Sequence, residues 1–174
     1  GFLYINERVK ITPIVYGGEQ QKNIRSGTEN VPGIAGIGLA SKMIYRHLDM
    51  KVALMRELKE HFLGGVTKIP NTTIHGLTDE NSAPHIISVG FAGIRGEVLL
   101  HALEDKGIYV SAGSACAARK PQPSTTLQAM GIDRELLGST IRFSFSVFTT
   151  MEEINYTLQT MCDIIPVLRR FSRR

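Results

Sequence analysis

Apolar residues return at helical spacing in some stretches of the chain and alternate with polar ones in others. Ile34, Ile37, Ile44 and Leu48 keep one helical face apolar, behind Asn30 as N-cap and Pro32 in the first turn. Leu54, Leu58 and Phe62 predict a second helix over roughly 50–63, stopped by Gly64-Gly65. A third, over residues 95–106, is expected to bury Val98, Leu99, Ala102 and Leu103 and to end at Gly107, and a short one is predicted around 124–130. The last helix opens on a capping box, Thr150-x-x-Glu153. Its stripe is Ile154, Leu158, Met161, Ile165 and Leu168, interrupted late by Pro166. Strands are predicted at 2–5, 12–16, 72–75, 85–91, 108–111 and 139–146. In the last of these Ile141, Phe143 and Phe145 alternate with Thr140, Arg142 and Ser144, the period of a half-buried strand. The pattern predicts an α/β fold, a small sheet covered by helices.

Residues 17–30 make a long polar, glycine-rich loop, and loops of that length without structure of their own are usually functional or mobile. Gly1 runs directly into the apolar stretch Phe2-Leu3-Tyr4-Ile5, and an apolar strand at a terminus needs a sheet to join. The expectation is that the chain is the second part of something larger.

Composition narrows the class. With 174 residues, 43% hydrophobic and 21% charged, the chain can bury a core and is not disordered. No apolar run approaches the roughly 20 residues of a membrane helix, and no secretory pattern is visible. Cys116 and Cys162 form no CxxC, which excludes a disulfide scaffold and a cysteine zinc site and makes a reducing cytoplasm the simplest compartment. The four arginines within 169–174 account for the whole excess of 20 Lys+Arg over 16 Asp+Glu. They predict a solvated cationic helix end, and no basic stripe points to direct nucleic-acid binding.

Three stretches could carry chemistry. Cys116 follows a predicted strand in a loop of Ala, Gly and Ser, and Arg119 and Lys120 lie close enough in sequence to favour its thiolate. Spacing alone leaves an inconsequential loop cysteine equally open. Arg142 points off the core face, where a planar guanidinium suits a carboxylate, although an ordinary surface arginine fits the same pattern. Arg25-Ser26-Gly27-Thr28 offers a cation, two hydroxyls and a permissive turn just ahead of a helix, a moderate anion signal without a Walker pattern. Other features are set aside. Gly36-x-Gly38-x-x-Ser41 sits inside a helical pattern, His47, His61, His75, His85 and His101 lack metal-ligand spacing, and no Gly-x-Ser-x-Gly elbow occurs. Cys162, beside the last apolar stripe, is expected to be a buried inert thiol.

Taken in order, Arg25-Ser-Gly-Thr-Glu-Asn-Val-Pro-Gly33, Ser111-Ala-Gly-Ser-Ala-Cys116 and Ser139-Thr-Ile-Arg142-Phe-Ser-Phe resemble the pyridoxal-phosphate-dependent cysteine desulfurases. Gly1-Phe-Leu-Tyr-Ile and the Thr149–Ile154 start of the last helix match as well, so the resemblance spans nearly the whole chain but only about the second half of the family's. It implies the small C-terminal domain of a fold-type-I transferase. Residues 1–31 would end the large cofactor domain, with residues 32–174 forming the small domain. It implies a homodimer acting on L-cysteine and passing sulfur to an acceptor, an iron–sulfur scaffold or a tRNA-thiolation protein. By the same resemblance Cys116 is the persulfide-forming nucleophile on a mobile loop, Arg142 holds the substrate carboxylate, and Thr28 reaches the cofactor phosphate of the neighbouring subunit. Ser146 departs from the glycine the family often has there. None of the lysines matches the family's Schiff-base lysine, which implies that this chain alone is inactive. A free-standing sulfur-acceptor or dimerisation module, or another transferase or lyase of the same fold, are the competing readings.

Overall fold

The computed structural model describes residues 1–112 and 124–171. By contacts the chain divides into two compact units, Gly1–Leu48 and Asp49–Arg174.

The C-terminal unit is built on a four-stranded antiparallel sheet. Its strands are β1 (Thr72–His75), β2 (Ile86–Phe91), β3 (Ser111–Ala112) and β4 (Thr140–Ser144), in the spatial order β1-β2-β4-β3. Period-2 alternation sends Ile87, Val89, Phe91, Ile141 and Phe143 to one face, where all are buried. Three helices supply the other half of that core: α2 (Leu48–Val66) through Leu58, Phe62 and Val66, α3 (Gly96–Glu104) through Leu99 and Leu103, and α6 (Met151–Phe171) through Ile154, Met161 and Ile165. The Phe62 ring lies 4.7 Å from that of Phe143 and 5.7 Å from that of Phe145, a tilted and an edge contact of the kind aromatic quadrupoles favour. The capping box forms as expected: Thr150 N donates to Glu153 Oε2 (2.8 Å) and Glu153 N to Thr150 Oγ1 (3.2 Å).

Among the described residues the opposite face is only partly covered. The short helices α4 (Thr125–Ala129) and α5 (Arg134–Leu137) precede β4, and Thr140 Oγ1 donates to Leu136 O at 2.6 Å. Thr140 is therefore buried although it alternates with the core residues. The loop before β2 is tied down from α2, where the buried Lys59 amine donates to Ser82 Oγ (2.8 Å) and Ala83 O (2.9 Å) and Arg56 donates to Glu80 O (2.8 Å). Burial and the neighbouring Arg56 charge lower the Lys59 pKa.

The N-terminal unit carries one helix, α1 (Val31–Tyr45), capped by Asn30 Oδ1 accepting from Gly33 N at 3.0 Å. Its predicted strands do not form. Residues 2–5 are irregular, with Phe2 (84%), Leu3 and Tyr4 exposed, and residues 12–16 make only an isolated bridge, Val15 to Arg25. Strands exist by pairing, and no described segment pairs with residues 2–5. The expected apolar face of α1 is not buried: Ile34 and Ile44 are exposed.

Three other expectations need correction. Gly64-Gly65 do not stop α2, which continues to Val66 because Gly65 faces α6, where a Cβ would overlap the Leu158 side chain. Val98 is exposed on α3, the 3.6-residue period turning it away from Leu99 and Leu103. The arginines at the end of α6 are not all solvated, since Arg169 donates through Nε to Ala92 O (3.0 Å) and through Nη2 to Asn71 O (3.1 Å). Burial at this junction lowers the Arg169 pKa from its ordinary value.

Candidate functional site

Arg142 stands where the alternation places it, on the face of β4 away from the core, and its side chain is exposed. The sheet register sets a row of side chains across that face: His75 opposite Ser88, Ser88 opposite Arg142, and Arg142 opposite Ser111. Within the row the guanidinium turns toward β3, and Nη2 donates to Ser111 Oγ at 3.2 Å. Its remaining donors make no hydrogen bond among the described residues, which leaves the planar fork available to an anion. Ser111 opens β3, and the chain passes from β3 into the stretch that contains Cys116. Cys116, Arg119 and Lys120 lie outside the described residues.

At the other end of the row His75 is buried, and burial lowers its pKa. Its Nε2 lies 3.1 Å from Thr140 Oγ1. The single hydroxyl proton of Thr140 goes to Leu136 O, so Nε2 carries the hydrogen and donates. This histidine ties β1 to β4, and Thr140 in turn ties β4 to α5. Groups of His, Cys, Asp and Glu able to hold a metal ion are absent among the described residues.

The second predicted site is in the N-terminal unit, as a compact turn over residues 17–28. Ser26, buried, donates through Oγ to Gly18 O (2.7 Å), Gly27 N donates to Gln20 Oε1 (3.0 Å), and Arg25 Nη1 donates to Gly27 O and Thr28 O (both 3.2 Å). Gly27 has φ of +99°, a left-handed conformation that costs a side chain-bearing residue strain. Gln21, Lys22 and Asn23 also have positive φ, a run of left-handed backbone that side chain-bearing residues seldom adopt. Arg25 thus braces the turn through two carbonyls, and Thr28 is held exposed with its hydroxyl unbonded among the described residues. Thr28 and Arg142 fall in different compact units.

Cys162 is exposed, contrary to the buried thiol expected. It sits on the outer side of α6, one position past the buried Met161, and helps line an open cleft with Ile69, Pro70 and Pro166. The partnership of Ser111 with Arg142 was not visible in the sequence, because 31 residues separate them and only the β3–β4 register joins them.

Comparison with known proteins assigns the family. Residues 1–157 match the model of the aminotransferase class-V family. The chain belongs to the class-V aminotransferases. Among curated relatives, this class-V aminotransferase chain is 39% identical over 173 residues to a cysteine desulfurase IscS of Dictyoglomus turgidum, covering 99% of the chain and 44% of that protein. It is 37% identical over 172 residues to a cysteine desulfurase IscS of Methanosarcina thermophila, covering 99% of the chain and 42% of the relative. Among solved structures, a NifS-like protein superimposes with a TM-score of 0.84 at 34% identity, over 95% of this chain and 42% of that one. A NifS-like protein from Rickettsia africae gives 0.77 at 30% identity, over 91% and 41%. The class-V aminotransferase chain therefore spans less than half the length of the curated relatives it matches, and the resemblance read from three short motifs extends along almost all of it.

Proposed function

We propose that this chain is the C-terminal part of a cysteine desulfurase, which converts L-cysteine to L-alanine and leaves a persulfide on Cys116. The observation that carries the reading is Arg142, an exposed guanidinium on β4 turned toward the strand that leads into the Cys116 stretch. Residues 1–31 would then end the large cofactor domain, and residues 32–174 the small domain, of a cytoplasmic homodimer.

Pyridoxal phosphate, when bound, supplies an electron sink at the α-carbon of the amino-acid substrate. Thr28 fits its phosphate, since the exposed hydroxyl is free to donate and Arg25 holds the turn from behind. Arg142 binds the carboxylate of L-cysteine through paired N–H donors and so fixes which bond lies nearest Cys116. The Cys116 thiolate attacks the substrate Sγ. As the new S–S bond forms, the Cβ–Sγ bond breaks, and its electron pair stays with the carbon fragment, which takes up a proton and leaves as L-alanine. The persulfide is then passed by thiol exchange to an acceptor protein, an iron–sulfur scaffold or a tRNA-thiolation enzyme. No lysine here matches the family's cofactor-anchoring motif, so the 174-residue chain by itself is inactive in this reading.

The test is made in the complete enzyme. Cys116→Ser is expected to lower alanine formation from L-cysteine by at least about 10²-fold while the cofactor absorption stays unchanged, because the thiol acts after cofactor binding. Cys162→Ser should retain wild-type activity. An active Cys116→Ser enzyme would remove the proposed nucleophile.

A further inference from the structure

We infer that Ser111 is the positioning residue of Arg142, fixing the guanidinium for a substrate carboxylate; the inference rests on the desulfurase reading above. An exposed arginine ordinarily samples many rotamers, and a carboxylate that binds it must first restrict them. Here one Nη2 hydrogen is already committed to Ser111 Oγ at 3.2 Å, and the two residues are direct cross-strand partners. The side of the row matters. Arg142 has a serine opposite it on each neighbouring strand, Ser88 on β2 and Ser111 on β3, and the hydrogen bond goes to Ser111. The guanidinium is thereby drawn toward the edge of the sheet from which the Cys116 stretch departs. A single contact through Nη2 uses one of five N–H donors, so an incoming carboxylate still finds a paired fork. Ser111 is half-buried, ordered by the β3–β4 pairing, and makes a fixed acceptor for the guanidinium.

The complete enzyme tests this by kinetics in three variants. Ser111→Ala should raise the KM for L-cysteine about 3–10-fold with kcat nearly kept, the signature of weakened substrate binding. Ser111→Thr, which keeps the hydroxyl and suits a strand, should restore KM. In an Arg142→Ala background Ser111→Ala should add nothing, because a residue that acts through Arg142 has nothing left to act on. An unchanged KM in Ser111→Ala, or an equal further loss in the Arg142→Ala background, overturns the positioning role while leaving Arg142 in place. A wild-type KM in Arg142→Ala removes Arg142 as the carboxylate ligand, and the inference with it, whereas no alanine formation from L-cysteine by the unsubstituted complete enzyme overturns the desulfurase reading itself. A lowered melting temperature in Ser111→Ala with no recovery of KM in Ser111→Thr would mark Ser111 as a fold residue only.

Discussion

His75 shows how one buried side chain can make the sheet sensitive to acid. Its imidazole is buried and donates to the Thr140 hydroxyl, and burial favours the neutral form in the native state. Burial lowers its pKa, and the unfolded chain therefore takes up the proton at a higher pH than the native one. The stability it contributes is complete above the unfolded value of about 6.5 and is lost as pH falls through the lower native value. His75→Gln keeps an N–H donor without a titrating ring. The variant's melting temperature is expected to fall less than the wild type's between about pH 7.5 and pH 5, in proportion to the proton uptake removed. Identical acid losses in the two proteins would assign the sensitivity to other groups.

At the scale of elements, Gly64 and Gly65 divide a single sequence signal into two physical roles. Both lie inside α2, where glycine costs up to about 1 kcal/mol relative to alanine. A Cβ on Gly64 would meet open space, whereas one on Gly65 would lie 3.0 Å from Leu158 Cγ and closer still to both its methyls. Gly64→Ala should raise stability by about 0.5–1 kcal/mol. Gly65→Ala should lower it by about 1 kcal/mol or more, since overpacking against α6 outweighs the gain in helix propensity. Opposite signs in thermal or denaturant melts are the expected result, and a stabilised Gly65→Ala would mean that α2 and α6 are not in close contact. The same pair explains what the sequence could and could not say. Periodicity located the core of α2, α3, β2, β4 and α6, because burial on one face leaves a local pattern in residue type. It misjudged the glycines, Cys162 and the strand at residues 2–5, because close approach, the outer side of a helix and strand pairing depend on partners distant in sequence. The candidate site divides likewise: alternation put Arg142 off the core face, but only the register supplied Ser111.

For the molecule as a whole, the distribution of burial is uneven. The hydrophobic core lies entirely within Asp49–Arg174. Within Gly1–Leu48 Ser26 alone is buried, while Phe2, Leu3, Tyr4, Ile14 (90%) and Tyr16 are exposed and α1 has no buried residue. A segment that buries so little apolar surface cannot offset the entropy of ordering its own backbone by much, so its opening costs far less than global unfolding. Amide hydrogen exchange on the chain should therefore show two classes. Amides of β2, β4 and the buried face of α6 should exchange only through global unfolding, and those of α1 should exchange orders of magnitude faster, through local opening. In the complete enzyme, where the desulfurase reading supplies a large domain and a second subunit to cover these side chains, protection over residues 31–45 should rise while that of β4 changes little. Protection in α1 equal to that in β4 in the chain alone would show that the exposed apolar residues are satisfied within it, and that the N-terminal unit does not depend on a partner for its order.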